Sequence, residues 1–246
     1  DASVVASSSS SYSGYAGVYV QSSIHATSSP QLSLKVNGGS LTASGGDGIS
    51  FNVGSIGDIG ATTSLTITDH AIVDARNGGI SADGVSGKPN VNIGSTDSTG
   101  GIVWNGSEGT VYGDVELQED LNIGEGESLT LDSGASLDAG DYDVIVDGGT
   151  LDSTLATNLG DSVKYTPTIT TTGTSLPDGT VGTLYNQTLA ATGSGTITWS
   201  LAEDSSLPDW LSLNADTGVI SGTPTAANTY TFTVKAANAY GSDSKE

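Results

Sequence analysis

Residues 115–151 read VELQEDLNIGEGESLTLDSGASLDAGDYDVIVDGGTL, and this stretch decides how the larger part of the chain should fold. Short alternations of apolar and polar residues are separated by turns that contain glycine, a pattern typical of brief strands that bury one face. The apolar positions recur after 22 or 23 residues, as in the pairs Val115–Leu137, Leu121–Val144 and Leu129–Leu151. This recurrence predicts coils laid on one another with equivalent side chains stacked inward. We therefore expect an all-β protein with a parallel β-solenoid over residues 1–164, although a β-sandwich of short strands stays open as an alternative.

The same kind of pattern continues upstream with other spacings. An alternating stretch at Val18–Val20 predicts a first strand, and further strands are predicted at Leu32–Val36, Leu65–Ile67 and Val91–Ile93. Gly-Gly-Ile occurs at 78–80 and again at 100–102, a spacing of 22 residues. Ile49, in a related Asp-Gly-Ile, lies 31 residues before Ile80. A spacing of 31 fits a coil that carries an inserted loop.

Composition limits the class of protein. Six basic and 28 acidic residues give a net charge of −22, which repels phosphate backbones and anionic membranes, so nucleic acid is excluded as a partner. The chain has no cysteine, which rules out a disulfide scaffold and a thiolate metal site. It has no run of ~18 apolar residues that would predict a membrane-spanning segment. It also lacks methionine, so we expect an excised or leader-free part of an exported, extracellular protein.

Residues 101–129, GIVWNGSEGTVYGDVELQEDLNIGEGESL, resemble the glycine-rich parallel β-helix regions of secreted gut-bacterial surface proteins. The resemblance implies an architecture and not an activity, because that fold is found in adhesins, polysaccharide lyases and glycoside hydrolases alike.

A second domain is predicted at residues 165–246, where the composition shifts to threonine and proline after Lys164. Its motifs are LPDGTVG at 176–182, TWS at 198–200 and TGVISGTPT at 217–225. In their order and spacing, residues 167–246 resemble the bacterial immunoglobulin-like (cadherin-like) surface domains, which implies a small β-sandwich. Because the chain ends soon after a turn at 238–241, we expect the sandwich to lack its last strand or part of it.

The residues that catalysis needs are scarce. Inverting hydrolases on β-helices use clustered aspartates with histidine, arginine and lysine nearby, but the only histidines are His25 and His70, and the paired-Asp, Gly-His-Gly and Arg-x-Lys signatures are absent. The chain has one basic cluster, Arg76 with Lys88 near Asp74 and Asp83. A lyase would need such a set, and the other interpretation is that these are ordinary polar residues of surface turns. We predict no catalytic residue, and an enzyme acting on polysaccharide stays the alternative.

Calcium is the one metal that the sequence leaves open. The resemblance to cadherin-like domains implies carboxylate sites at module junctions, for which Asp161, Asp178 and Asp216 are the candidates, yet the cadherin-type linker motif is absent. No motif indicates any other cofactor.

Aromatic rings offer a second route to function, because exposed tryptophan and tyrosine stack on sugar faces. Trp104, flanked by Gly101 and Gly106, and Tyr112 are the predicted carbohydrate contacts, with packing at a solenoid corner as the other interpretation. Trp199 lies in an alternating strand and is predicted to be core. The sequence as a whole predicts a non-enzymatic surface or adhesin-type protein, with the solenoid as stalk or binding surface plus a spacer module, whose partner is a polysaccharide or host glycan.

Overall fold

The computed structural model describes residues 18–21, 31–37, 40–42, 49–52, 62–68, 71–76, 80–83, 91–94, 100–173 and 175–246. These residues divide into two compact units. The first lies within residues 1–144 and 149–162, and the second within 145–148 and 163–246. The protein is of the all-β class, and within the described residues its helical part is one short α-helix and one 3₁₀ turn.

Sixteen strands precede the helix: β1 Val18–Gln21, β2 Gln31–Asn37, β3 Ser40–Thr42, β4 Ile49–Asn52, β5 Thr62–Thr68, β6 Ala71–Ala75, β7 Ile80–Asp83, β8 Val91–Gly94, β9 Gly101–Asn105, β10 Glu108–Tyr112, β11 Asp114–Glu116, β12 Leu121–Ile123, β13 Ser128–Leu131, β14 Ser136–Asp138, β15 Val144–Val146 and β16 Thr150–Leu151. The helix α1 spans Ser153–Leu159 and is followed by a 3₁₀ turn at Gly160–Ser162. The remaining strands are β17 Val163–Tyr165, β18 Thr168–Ile169, β19 Tyr185–Thr188, β20 Ala191–Thr192, β21 Thr198–Leu201, β22 Leu211–Leu213, β23 Val219–Gly222, β24 Val234–Ala237 and β25 Ser242–Lys245.

Upstream strands of the first unit pair in parallel with strands about 30 residues away. β1, β4 and β7 form one ladder and β2, β5 and β8 a second, and Ile49 lies beside Ile80 as its spacing of 31 predicts. A third ladder joins β3, β6 and β9. There Ile102 pairs with Ile72, so the spacing of 22 between the two Gly-Gly-Ile motifs is not a register; residues 78 and 79 lie outside the described residues.

Downstream strands also pair in parallel, with a shorter repeat. Val115 lies beside Leu137 and Leu129 beside Leu151, which confirms both 22-residue registers. Strands β10, β13 and β16 form one ladder and β11 with β14 another. Burial alternates along β11, β12 and β14, because every second residue is apolar and a strand directs alternate side chains to opposite faces.

An antiparallel hairpin of β9 and β10 joins the upstream and downstream strands into one six-stranded sheet. Residues paired across a ladder share a face of the sheet. Upstream, β6 buries Ala71, Val73 and Ala75. Val103 of β9 lies on the same face of the sheet as these residues. Downstream, β10 buries Gly109 and Val111, which lie on the opposite face of the sheet. The core therefore changes sides at the hairpin, and the first four residues of β9 are buried on both faces.

The helix α1 follows the last strand of this sheet and buries Leu155 and Leu159. Asp152 caps it, because one carboxylate oxygen accepts the backbone N–H groups of Thr154 at 2.9 Å and Leu155 at 3.2 Å. These are two of the donors that a helix N-terminus leaves without intrahelical partners.

Replacing Asp152 with alanine should lower the free energy of unfolding of the first unit by about 1 kcal/mol, because both donors lose their acceptor. Chemical denaturation followed by circular dichroism measures the loss. Asp152→Asn keeps an acceptor oxygen and should lose less than half as much. Equal losses in the two variants would contradict the capping role.

Three small antiparallel sheets build the second unit: β18 with β20, β22–β23–β19, and β21–β24–β25. Their buried side chains form one core, made of Ile169, Leu189, Trp199, Leu211, Ile220, Val234 and Ala236. Trp199 is core as predicted. The alternation of residues 230–236 predicts a strand from Tyr230 onward, but β24 begins at Val234.

The residues after the turn at 238–241 form the strand β25. That the sandwich lacks its last strand or part of it stays a prediction. β25 pairs with β24 along its full length. Its inward side chains also hold β18, because Asp243 Oδ2 accepts the N–H of Ile169 at 2.7 Å and Lys245 Nζ donates to the carbonyl of Thr171 at 2.6 Å. At the edge formed by β25, charged side chains bond to the backbone of the β18 segment in place of a backbone ladder. Charged side chains at a sheet edge discourage pairing with another chain.

Candidate functional site

Trp104 lies inside the first unit and not on its surface. Its side chain is 0% exposed. The hairpin makes room for it, because Gly109 is its cross-strand partner and a Cβ on Gly109 would lie 2.8 Å from the indole ring. The predicted sugar-stacking role of Trp104 has no free ring face to support it in this conformation.

Arg76 covers the indole from the other side. Its guanidinium carbon lies 4.0 Å from the Trp104 ring centroid, which is a cation–π contact. Arg76 Nε lies 3.3 Å from Glu127 Oε1, and the terminal Nη2 donates to the carbonyl of Asn122 at 3.2 Å. Glu127 is itself held, since its other oxygen accepts the N–H of Gly124 at 2.8 Å.

These contacts give Arg76, the only arginine in the chain, a packing role. The base of a lyase must be accessible to the substrate, whereas the Arg76 guanidinium is stacked on Trp104 and paired with Glu127. Of the other members of the predicted basic cluster, Asp74 lies beside Arg76, since its Oδ1 accepts the Arg76 backbone N–H at 3.1 Å and lies 3.9 Å from Arg76 Nε. Lys88 and the side chain of Asp83 lie outside the described residues, as do His25 and His70.

Removing the Arg76 side chain should destabilise the first unit by about 2 kcal/mol, because the variant Arg76→Ala loses the stacking contact and leaves Glu127 unpaired. Arg76→Lys should recover only part of this, since a lysine ammonium cannot stack as a planar fork. The midpoint of urea unfolding is the measurement. If lysine restored the wild-type midpoint, a point charge and not the stacked guanidinium would be what matters.

Tyr112 does not combine with Trp104 into one site. It pairs with Gly101 across the hairpin and therefore lies on the opposite face of the sheet from Trp104. Tyr112 is half-buried, and this burial raises the pKa of its phenol above the ordinary 10.0, with a further contribution from the charge of Asp132. The hydrogen bond with Thr110 acts in the other direction.

The three aspartates predicted as calcium ligands are exposed and do not converge. Asp161 lies in the 3₁₀ turn of the first unit. In the second unit, Asp178 lies near the Tyr185 end of β19, whereas Asp216 lies in the β22–β23 turn at the opposite end of the same sheet. Over the described ranges no three acidic or histidine side chains form a group that could hold a metal ion. Within the second unit, Asp178 and Asp216 therefore cannot share one metal ion.

An aromatic cluster that the sequence did not single out lies at one end of the second unit. Trp210 makes edge-to-face contacts with Tyr185, at 6.5 Å between ring centroids, and with Tyr230, at 5.7 Å. The Tyr185 hydroxyl donates to the carbonyl of Pro177 at 3.0 Å, which ties the preceding loop to the cluster. The indole N–H of Trp210 is buried with no hydrogen-bond partner among the described residues.

Gly222 positions this cluster. It lies between Tyr185 and Leu211 in the sheet, and a Cβ there would overlap the backbone carbonyl of Trp210. Only glycine lets the Trp210 backbone approach the strand so closely. In the sequence, the position of Trp210 between Pro208 and Leu211 indicates a partly buried ring, but it does not indicate the two tyrosine neighbours.

The pKa of Tyr185 is raised above its ordinary 10.0, first by burial and then by the negative charge of Asp178. The folded state therefore favours the neutral phenol, so its contribution to stability is complete below pH ~10 and is lost as pH rises through the folded-state pKa. The melting temperature of the second unit should fall as pH rises above about 10, and less steeply in Tyr185→Phe. Identical slopes in the two proteins would contradict this assignment.

Residues 167–246 match the model of a protein family described as "Putative Ig domain". The match confirms the predicted immunoglobulin-like domain over the same residues and covers about a third of the chain. Comparisons with curated proteins and with solved structures found no match. No helix in the described part of the chain is long and apolar enough to cross a membrane.

Proposed function

We propose that this chain is a non-catalytic part of an extracellular bacterial surface protein, in which residues 1–164 form a parallel β-solenoid stalk and the immunoglobulin-like unit is a spacer. The observation that carries the proposal is the run of parallel ladders, such as β1–β4–β7 and β10–β13–β16, followed by that unit. Stacked ladders satisfy the backbone of each coil through its neighbours, so such a structure extends without a large globular core.

We propose that the chain is not catalytic because it has few side chains that can transfer protons near neutral pH. General acid–base chemistry needs side chains placed to hold or move protons near neutral pH. The chain has only two histidines and six basic residues in 246. Of the basic residues, Arg76 is stacked on Trp104 and Lys245 is bonded to a carbonyl.

The extracellular location is supported by the acidic composition, which favours solubility, and by the immunoglobulin-like family match. A polysaccharide or host glycan remains the proposed class of partner for the stalk. The buried ring of Trp104 is not part of the proposed glycan contact.

Three measurements test this function. Intact cells of the source organism are treated with a membrane-impermeant biotinylating reagent, and the protein should be labelled before lysis. The purified chain is incubated with pectin, alginate and neutral polysaccharides, and no unsaturated or reducing ends should appear. A glycan array is read with and without calcium. Labelling only after lysis would overturn the surface location, and release of unsaturated oligosaccharides would establish the lyase alternative.

A further inference from the structure

Exposed apolar side chains concentrate at the aromatic end of the second unit. Leu184 is 69% exposed, Val181 50% and Tyr230 38%. Backbone and ring contacts bring their segments together, because the N–H of Gly182 donates to the carbonyl of Pro224 at 2.9 Å and Tyr230 packs on Trp210. We call this surface the end patch, defined by Val181, Leu184, Tyr185, Trp210 and Tyr230.

Rings held by several contacts lose little conformational freedom when a ligand binds. Tyr185 is fixed through its hydroxyl and through Trp210, and Trp210 is fixed by both tyrosines. Rigid aromatic anchors of this kind are typical of binding surfaces, whereas exposed apolar side chains scattered singly need no explanation.

The charged residues that the contacts place beside the end patch are acidic. No basic residue occurs between Lys164 and Lys235. Asp178 adjoins Tyr185, and Asp209 precedes Trp210 in the chain; both are exposed. Exposed Glu203 and Asp204 follow β21, in a loop tied to the segment after Tyr230 by the bond from Thr233 N–H to Ser205 Oγ at 2.7 Å. The result is an apolar centre with an acidic rim.

We propose that the end patch docks a cationic polypeptide segment, with an aliphatic side chain seated against its exposed apolar side chains and flanking lysines or arginines paired with the rim carboxylates. An apolar centre within a charged rim is the common anatomy of a protein interface, and opposite charge steers the encounter. A second copy of this chain is disfavoured because each copy carries −22, and acidic glycans are disfavoured for the same reason.

The full chain is titrated into two fluorescent nine-residue peptides and fluorescence anisotropy is recorded. One peptide is lysine-leucine-proline repeated three times, and the other has serine in place of leucine. The leucine peptide should bind at least about tenfold more tightly than the serine peptide, and its affinity should fall as salt rises. Equal binding of the two peptides would mean that bulk acidity alone attracts them and would overturn the proposal.

Variants locate the site. The double variant Leu184→Ser with Tyr230→Ser should weaken binding of the leucine peptide at least about tenfold, and Asp178→Asn with Asp209→Asn should weaken it and flatten its salt dependence. The matched control is Asp216→Asn, which removes an exposed charge at the opposite end of the same sheet and should change affinity less than about twofold. Circular dichroism verifies folding of each variant.

Three outcomes overturn the proposal. The first is an effect of Asp216→Asn as large as that of the rim variant. The second is unchanged affinity in the folded Leu184 and Tyr230 double variant. The third is self-association of the full chain that disappears in that double variant, which would assign the end patch to a second copy.

Discussion

Replacing Trp104 with alanine should lower the free energy of unfolding of the first unit by about 3–5 kcal/mol. The reason is the cavity left between Gly109, Arg76 and Leu129, which β-sheet backbone on both sides keeps from collapsing. Loss of a stacked partner for Arg76 adds to the cost. Chemical denaturation of the full chain, followed by circular dichroism and by hydrogen exchange of the first unit, measures the effect.

Two control variants separate this packing role from a general effect of losing an aromatic ring. Trp104→Phe keeps most of the buried area and should lose less than half as much as Trp104→Ala. Tyr142→Ala removes an aromatic side chain that is exposed in the first unit, and its effect should stay within about 0.5 kcal/mol. If Trp104→Ala behaved like Tyr142→Ala, the indole would not be core.

Substituting Gly222 with alanine should destabilise the second unit by more than about 4 kcal/mol or prevent its folding. The new methyl group would occupy the position of the Trp210 carbonyl, and a backbone atom in a sheet cannot move aside as a flexible side chain can. Yield, melting temperature and tryptophan fluorescence of the full chain report the loss.

The matched control for Gly222 is Gly195→Ala. Gly195 has a φ of 69°, but a Cβ added there would meet nothing within 4 Å, so only the conformational cost of about 1–2 kcal/mol applies. A loss in Gly222→Ala no larger than in Gly195→Ala would show that the strand adjusts to the methyl group, and that the close approach of Trp210 is not fixed.

Registers within the downstream ladders could be predicted from sequence because stacking places like side chains together. Leucine, valine and isoleucine recur at the same interval at which their strands pair, so Leu129 and Leu151 reveal their own register. The 31-residue interval from Ile49 to Ile80 worked for the same reason. In the second unit, the order of the motifs identified the immunoglobulin-like domain, and the alternation along its strand predicted that Trp199 is buried in the core.

The position of Trp104 could not be predicted in the same way. Alternation says which residues share a face but not which face is covered, and β9 is covered on both. A signal was present nonetheless: Gly106-Ser107 fits a two-residue hairpin turn with glycine first, and folding the chain there places Gly109 opposite Trp104. The aromatic cluster was harder to foresee, since Tyr185 and Trp210 meet only through a third strand, β23.

The change of core side at β9 has a consequence for how the first unit comes apart. In a solenoid such as the one proposed for this unit, each layer contacts only its neighbours, so unfolding frays inward from either end, one layer at a time. A strand enclosed on both faces resists this, because loosening the layers on one side exposes Val103 and loosening those on the other exposes Ile102. Each half therefore helps to hold the other closed, and the amide protons of β9 are placed to be among the last to exchange with solvent.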